Sequence, residues 1–320
     1  MTKYCINNNY LSRRFGVELE YNSFDKLDRS MAENDLPLGI YFYAEQIRKK
    51  LGCLVDVAKW HYTNDNENWV LKPDASCGLE ICSPVLTGNE GLNNISAVIE
   101  ALMGSNKASS DERCSLHVHV EIEDYDAKDL VNLFRLWLKN ELFFYFLTSP
   151  NRWLNSYCQP LGFSYPVETL EKAKFHEIFE LLGSYKYFAI NLFHYKKGKR
   201  KTIEFRIMGN KACLDPWEAQ LWCRLLLCFV HRVKEKNFDA FDNQSLYYTK
   251  AKETLQFLNL QEFSYNQELV MWIIEKLSHL VDNKTLFDKS FSKRYIWEEI
   301  ISNSQEDLAN AVGFLEGILC

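Results

Sequence analysis

The chain has 320 residues, 47% of them hydrophobic and 14% aromatic, which is ample for one large domain or two small ones. A net charge of −6 argues against a partner dominated by nucleic-acid phosphates, and no apolar run approaches the ~20 residues of a membrane span. The opening MTKYCINNNYLSRRFG lacks the apolar stretch of a secretion signal, so the cytoplasm is the expected compartment and no membrane partner is expected.

The first patterned stretch, Gly16 to Tyr21 (GVELEY), reads as a strand with Val17 and Leu19 on one face and Glu18 and Glu20 on the other. Two carboxylates then stand about 6.5–7 Å apart along one strand and repel each other. The charged segment from Asp25 to Leu38 reads as loop, and Ala44 to Leu51 as the end of an amphipathic helix closed by Gly52. Trp69 to Lys72 and Gly78 to Ser83 read as short strands around the turn Pro73-Asp74-Ala75-Ser76, with Glu80 and Cys82 sharing a face. Helical spacing follows over Gly88 to Leu102.

Leu116 to Glu123 (LHVHVEIE) alternates strictly, with Leu116, Val118, Val120 and Ile122 opposite His117, His119, Glu121 and Glu123. A long helix is predicted over Ala127 to Thr148, then an irregular loop SPNRWLNSYCQPL carrying Arg152, then a helix over Thr169 to Leu182. Ala189 to Tyr195 and Thr202 to Met208 read as two strands joined by a basic hairpin turn, KKGKRK. In the second of these, TIEFRIM, alternation puts Thr202, Glu204, Arg206 and Met208 on one face. An apolar helix is predicted from Pro216 to about Lys236, and helices again over Ala251 to Leu258, Gln267 to Leu280 and Leu308 to Leu319. The expected organisation is a catalytic body over 1–236 with a helical cap over 237–320.

If the three ionisable strands are neighbours, carboxylates, imidazoles and an arginine converge on one sheet face, and a divalent cation is the natural counter-charge. Without it, crowding of Glu18, Glu20, Glu80 and Glu204 should raise some of their pKa values. The ten cysteines form no CxxC pair or zinc-ribbon spacing and are read as reduced thiols; Cys77 and Cys82, nearest the polar strands, are the candidates for a catalytic thiol.

The ordered set FGVELE, WVLKPDASCGLEICSPVLTG, CSLHVHV, SPNRWLNSYCQPL and RKTIEFRIMG resembles the amidoligase family, a branch of the carboxylate-amine ligases that includes glutamine synthetase and glutamate-cysteine ligase. The resemblance covers about Phe15 to Gln220. It implies an α+β fold: a curved, mainly antiparallel sheet of glutamine synthetase-like type, its concave face holding ATP and Mg²⁺ or Mn²⁺, with helices on the other face and a helical C-terminal region. The implied reaction joins a carboxylate to an amine, each from a small molecule or a peptide or protein, through an acyl phosphate made from ATP.

By motif, Glu18, His117 and Glu204 correspond to one metal site and Glu20 with Glu80 to another. His119, Arg152 and Arg206 correspond to nucleotide or phosphate contacts, with Arg206 acting in catalysis, and Asp74 and Glu121 are candidates for the general base. The chain departs from the family pattern at Ser115, where glycine is usual, and in having one arginine in SPNRW. Two other readings compete: a metal-dependent phosphotransferase or phosphohydrolase, and a nucleotide-binding module without turnover. A monomer and a homo-oligomer both fit.

Overall fold

A computed structural model describes residues 9–22, 38–59, 67–105, 108–153, 155–164, 169, 172–198, 200–235, 251–260, 267–282 and 294–319. The predicted loop over Asp25 to Leu38, apart from Leu38, and parts of the predicted helix at 169–182 and of the KKGKRK turn lie outside these residues. In chain order the strands are β1 (Phe15–Asn22), β2 (Val55–Val57), β3 (Trp69–Asp74), β4 (Gly78–Cys82), β5 (Ser115–Glu121), β6 (Ile190–Asn191) and β7 (Thr202–Gly209). The main helices are α1 (Leu38–Leu51), α2 (Gly88–Met103), α3 (Ala127–Phe146), α4 (Phe175–Ser184), α5 (Pro216–Glu235), α6 (Ala251–Leu258), α7 (Gln267–Asp282) and α8 (Arg294–Leu319).

The chain divides into two compact units, each discontinuous in sequence: one formed by Leu11–Glu121 and Thr202–Arg224, the other by Met1–Tyr10, Ile122–Lys201 and Leu225–Cys320. The first is built on a mixed sheet in the order β2-β3-β4-β1-β5-β7. β2 and β3 are parallel, and the other pairs are antiparallel. One face of this sheet is continuous hydrocarbon, because the register sets Leu19 beside both Ile81 and Leu116, and Val17 beside Val118, which faces Phe205. All of these are fully or almost fully buried. Tyr21 lies on the same face, and its hydroxyl donates to the Cys213 carbonyl at 2.6 Å, so the short helix Lys211–Leu214 covers it. Burial pushes the Tyr21 phenol up, so it stays a neutral donor.

The strand alternation read from the sequence sets the other face, with one exception. A bulge falls between Leu116 and Val118, and beyond it Met208 pairs with Leu116. The extra residue flips the pattern, so Met208 joins the hydrocarbon face and not that of Glu204. The hairpin between β3 and β4 closes on Asp74, whose Oδ1 accepts from the backbone N–H groups of Ser76 at 2.7 Å and Cys77 at 3.1 Å. Gly78 leaves this turn at φ 118°, a conformation that only glycine adopts without strain.

In the second unit, α3 starts in a complete capping box: Asp126 accepts from the Asp129 N–H at 2.9 Å and Asp129 accepts from the Asp126 N–H at 3.0 Å. Its apolar stripe buries Trp137 and Phe144, stacked with centroids 4.8 Å apart, and Phe229 of α5 meets Phe144 edge-on at 5.1 Å. Of the strand predicted over Ala189 to Tyr195, only Ile190–Asn191 forms, as β6. After the two residues of β6, Asn191 Oδ1 accepts from the Phe193 N–H at 3.0 Å and Phe193–Lys196 turns into a short helix. The asparagine offers the backbone a local turn that outcompetes strand extension. The predicted helix at 169–182 takes helical form over Phe175–Ser184, where Glu177 accepts from the Lys174 N–H at 2.7 Å. Gln267–Asp282 and Arg294–Leu319 both run longer than expected.

Glu141 is the buried anchor of this unit. Its carboxylate accepts from Trp137 Nε1 at 2.9 Å, from the Leu161 N–H at 3.0 Å and from the Gly162 N–H at 3.1 Å. Burial nevertheless wins over these three donors and raises its pKa to about 7. Glu141→Ala would leave three buried donors without an acceptor, at about 1–3 kcal/mol each. Urea denaturation at pH 6 is expected to show a loss of about 3 kcal/mol or more; a loss below about 1 kcal/mol would contradict the anchoring role.

Candidate functional site

The polar face of the sheet carries the site, and strand register explains why. Glu18 on β1 lies between Cys82 of β4 and His117 of β5, Glu20 pairs with Glu80, and Glu80 pairs with Lys72 of β3. His119 of β5 pairs with Glu204 of β7. The sequence shows which residues share a face of each strand; the antiparallel order brings the strands side by side.

Glu18, His117 and Glu204 each present one ligand atom within 4.8 Å of the others. His117 Nδ1 is 3.1 Å from Glu18 Oε2 and 3.8 Å from Glu204 Oε1, while His119 Nε2 is 3.2 Å from Glu18 Oε1. The other nitrogen of His117 is fixed from behind: the Ser115 hydroxyl donates to Glu20 Oε2 at 2.6 Å and lies 2.7 Å from His117 Nε2. The ring is thus held on both sides, by the Ser115 hydroxyl at Nε2 and by the hydrogen bond of Nδ1 with Glu18 Oε2 at 3.1 Å. A carboxylate, imidazole, carboxylate set with ligand atoms this close is chemically suited to Mg²⁺ or Mn²⁺. Ser115, a departure from the family pattern, thus holds the ring in place between Glu20 and Glu18. Ser115→Ala is expected to weaken Mn²⁺ binding by about 10–100-fold in equilibrium dialysis, and unchanged affinity would remove serine from this role.

Glu204 is 2% exposed. Burial alone would raise its pKa, but Arg206, which pairs with it directly, and His119 hold it at about 2. Glu18 is likewise held well below the carboxylate range against burial, first by His119. Glu80 is the carboxylate that crowding raises, through burial and the nearby charge of Glu18. The expectation that some of these values are raised holds at Glu80, while Glu18 and Glu204 are lowered because the protein supplies local cations there.

Glu80 groups with Glu18 and Cys82, whose ligand atoms also lie within 4.8 Å of one another, while Glu20 is engaged by Ser115. Lys72 Nζ is 2.6 Å from Glu80 Oε1. Burial would lower the Lys72 pKa, but the Glu80 charge raises it further, so the ammonium is fixed. No periodicity argument singled out Lys72; its place opposite Glu80 follows from the hairpin register that Asp74 and Gly78 set.

Glu121, on the same face, pairs with Arg14. Asp74 spends Oδ1 on its own turn, and although burial would raise its pKa, the Ser76 and Cys77 hydrogen bonds lower it. Arg152 belongs to the second unit, buried on the short helix Pro150–Arg152. The Cys77 thiol is pushed up by its hydrogen bond with Cys114 and by burial, and the Cys82 thiol by burial and Glu80. Both are protonated and poor nucleophiles. The eight described cysteines are free thiols, as read from the sequence. Among the described residues no helix is long and apolar enough to cross a membrane.

A family model with the description "Putative amidoligase enzyme" matches residues 11–229, which contain every residue of this face. No curated protein matches the chain in sequence. Among solved structures, it is similar to a bifunctional glutathione synthetase from Pasteurella multocida, with 12% identity and a TM-score of 0.45. That match covers 100% of this chain and 54% of the other, so the chain spans about half its length.

Proposed function

Since the chain belongs to the family described as "Putative amidoligase enzyme", we propose that it is an ATP-dependent ligase of glutamine synthetase-like type that joins a carboxylate to an amine on the polar face of its sheet. The observation that carries this reading is the meeting of Glu18, His117 Nδ1 and Glu204 beside Arg206. Glu18, His117 and Glu204 would hold one divalent ion, which when bound would neutralise charge on the nucleotide phosphates.

The chain's own groups have separable roles. Arg206, fixed by Glu204, presents a planar cation to the oxygens of the transferring phosphoryl group, where positioning and charge neutralisation supply most of the catalysis. His119 is a proposed phosphate contact. In the overall reaction a carboxylate oxygen takes the terminal phosphoryl group and ADP leaves; the amine then attacks the acyl carbon, phosphate leaves and the nitrogen loses its proton. Glu121, whose carboxylate pairs with Arg14, is the proposed acceptor of that proton. Asp74, the other candidate, keeps the hairpin in shape.

The test is hydroxylamine trapping. Incubation with ATP, Mg²⁺, hydroxylamine and pooled amino acids or peptides should yield hydroxamates, because hydroxylamine intercepts an acyl phosphate in place of the natural amine. Phosphate release with no hydroxamate from any pool would favour the phosphohydrolase reading, and neither product would favour a binding module.

A further inference from the structure

We propose that Arg14 and Glu121 dock the head group of a free α-amino acid as the amine substrate, its carboxylate on Arg14 and its nitrogen on Glu121. The inference rests on the ligase reading above and names the class of amine that reading leaves open.

The pair lies on the face already described. Alternation puts Glu121 on the same side of β5 as His119 and His117. Register sets Gly16 of β1 beside His119 and Glu18 beside His117, and Arg14, one same-face step before Gly16, pairs with Glu121. Same-face neighbours on a strand stand about 7 Å apart, so the pair is one step from the row of Gly16, His119 and Glu204. Gly16 puts no side chain on that intervening step of β1. A nitrogen held at Glu121 is therefore next to the row where the phosphate contact is proposed.

Three contacts fix Glu121. Its N–H donates to the Arg14 carbonyl at 2.9 Å, its carbonyl accepts from Arg13 Nη1 at 2.7 Å, and its carboxylate pairs with Arg14. The Arg14 side chain is 53% exposed and that of Glu121 23%, so a ligand can reach both charges. An ion pair so exposed contributes little to stability. Its two charges match one class of amine. An α-amino acid carries an ammonium and a carboxylate on the same carbon, so its docking adds two charge-assisted contacts to the pair. A guanidinium has five N–H donors and can serve Glu121 and a second carboxylate together. A simple amine offers Arg14 nothing, and the N-terminus of a peptide has no carboxylate on the same carbon.

Saturation-transfer NMR without nucleotide tests this, with an equimolar mixture of the common amino acids and then with the matching amines that lack the carboxylate. Wild type is expected to bind at least one amino acid and to bind its matching amine about 10–100-fold more weakly. Arg14→Gln should lose affinity for that amino acid by the same factor, while Arg14→Lys, which keeps the charge without the fork, should retain part of it. Circular dichroism spectra matching wild type qualify each variant, and the comparison of amino acid with amine tests the proposal on wild type alone. The bound amino acid, added to the hydroxylamine trap, should lower the hydroxamate yield by taking the acyl group itself. No bound amino acid, equal binding of its matching amine, or undiminished binding by folded Arg14→Gln would overturn the inference, and hydroxamates formed by the same preparation would leave the ligase reading standing. A bound amino acid that is itself converted to the hydroxamate would also overturn the inference, since it would then be the carboxylate substrate. Neither hydroxamate nor phosphate from any pool would overturn the ligase reading, and the inference with it.

Discussion

Arg206→Ala is expected to lower stability by about 3–5 kcal/mol and to reduce turnover by about 10³–10⁵-fold. The stability loss comes from Glu204. Its carboxylate is 2% exposed and ionised beside the guanidinium, so removing the arginine leaves a buried charge with its principal counter-charge gone. A control separates this from lost packing: Glu204→Gln combined with Arg206→Ala removes both charges and should recover a large part of the loss. Urea denaturation of the two single variants and the double variant decides it. A loss below about 1 kcal/mol for Arg206→Ala would mean that the pair behaves as an exposed one, and the picture of a buried, preorganised cation would fail. The rate effect is read separately, as turnover at saturating substrate with folded protein, because a phosphate-facing arginine acts mainly in the transition state.

The second large effect is pH dependence. Glu204 titrates near the ordinary 4.5 in the unfolded chain and near 2 in the folded one. A depressed carboxylate stabilises the fold above 4.5, and that contribution disappears as the pH falls from 4.5 toward 2; for Glu204 it amounts to about 3 kcal/mol. Glu18, also held low, adds a loss of the same sign in acid. Glu141 works in the opposite direction. Its folded value of about 7 lies above the ordinary 4.5, so its contribution is complete below 4.5 and is lost as the pH rises through 7. Denaturation midpoints should therefore peak between the two windows, near pH 4.5 to 5. Glu204→Gln should flatten the acid side and Glu141→Ala the side toward neutrality. Midpoints that climb steadily from pH 4.5 to 8 in wild type would contradict the burial of Glu141.

Much of the site could be read from strand alternation alone. GVELEY, LHVHVEIE and TIEFRIM each separate an apolar face from an ionisable one, and the fold puts β1, β5 and β7 side by side with those faces aligned. The misreadings have local causes. Met208 changes face because a bulge inserts a residue, which no periodicity reveals. AINLFHY alternates like a strand, yet Asn191 captures the backbone and starts a helical turn. Lys72 looked like one more polar residue, since only the pairing of β3 with β4 places it on Glu80. Ser115 departs from a pattern, and its place between Glu20 and His117 follows only from the pairing of β1 with β5. The division into two discontinuous units depends on contacts between distant segments, which composition and spacing do not encode.

Metal-dependent nucleotide binding at Glu18, His117 and Glu204 is most directly tested by calorimetric titration of a non-hydrolysable ATP analogue into wild type and Glu204→Ala, with Mn²⁺ and with chelator. Binding is expected in wild type with Mn²⁺, and it should be lost both on chelation and in the variant. An analogue that binds wild type equally well with and without metal, or that does not bind under any of these conditions, would contradict the assignment of this face to ATP-dependent ligation.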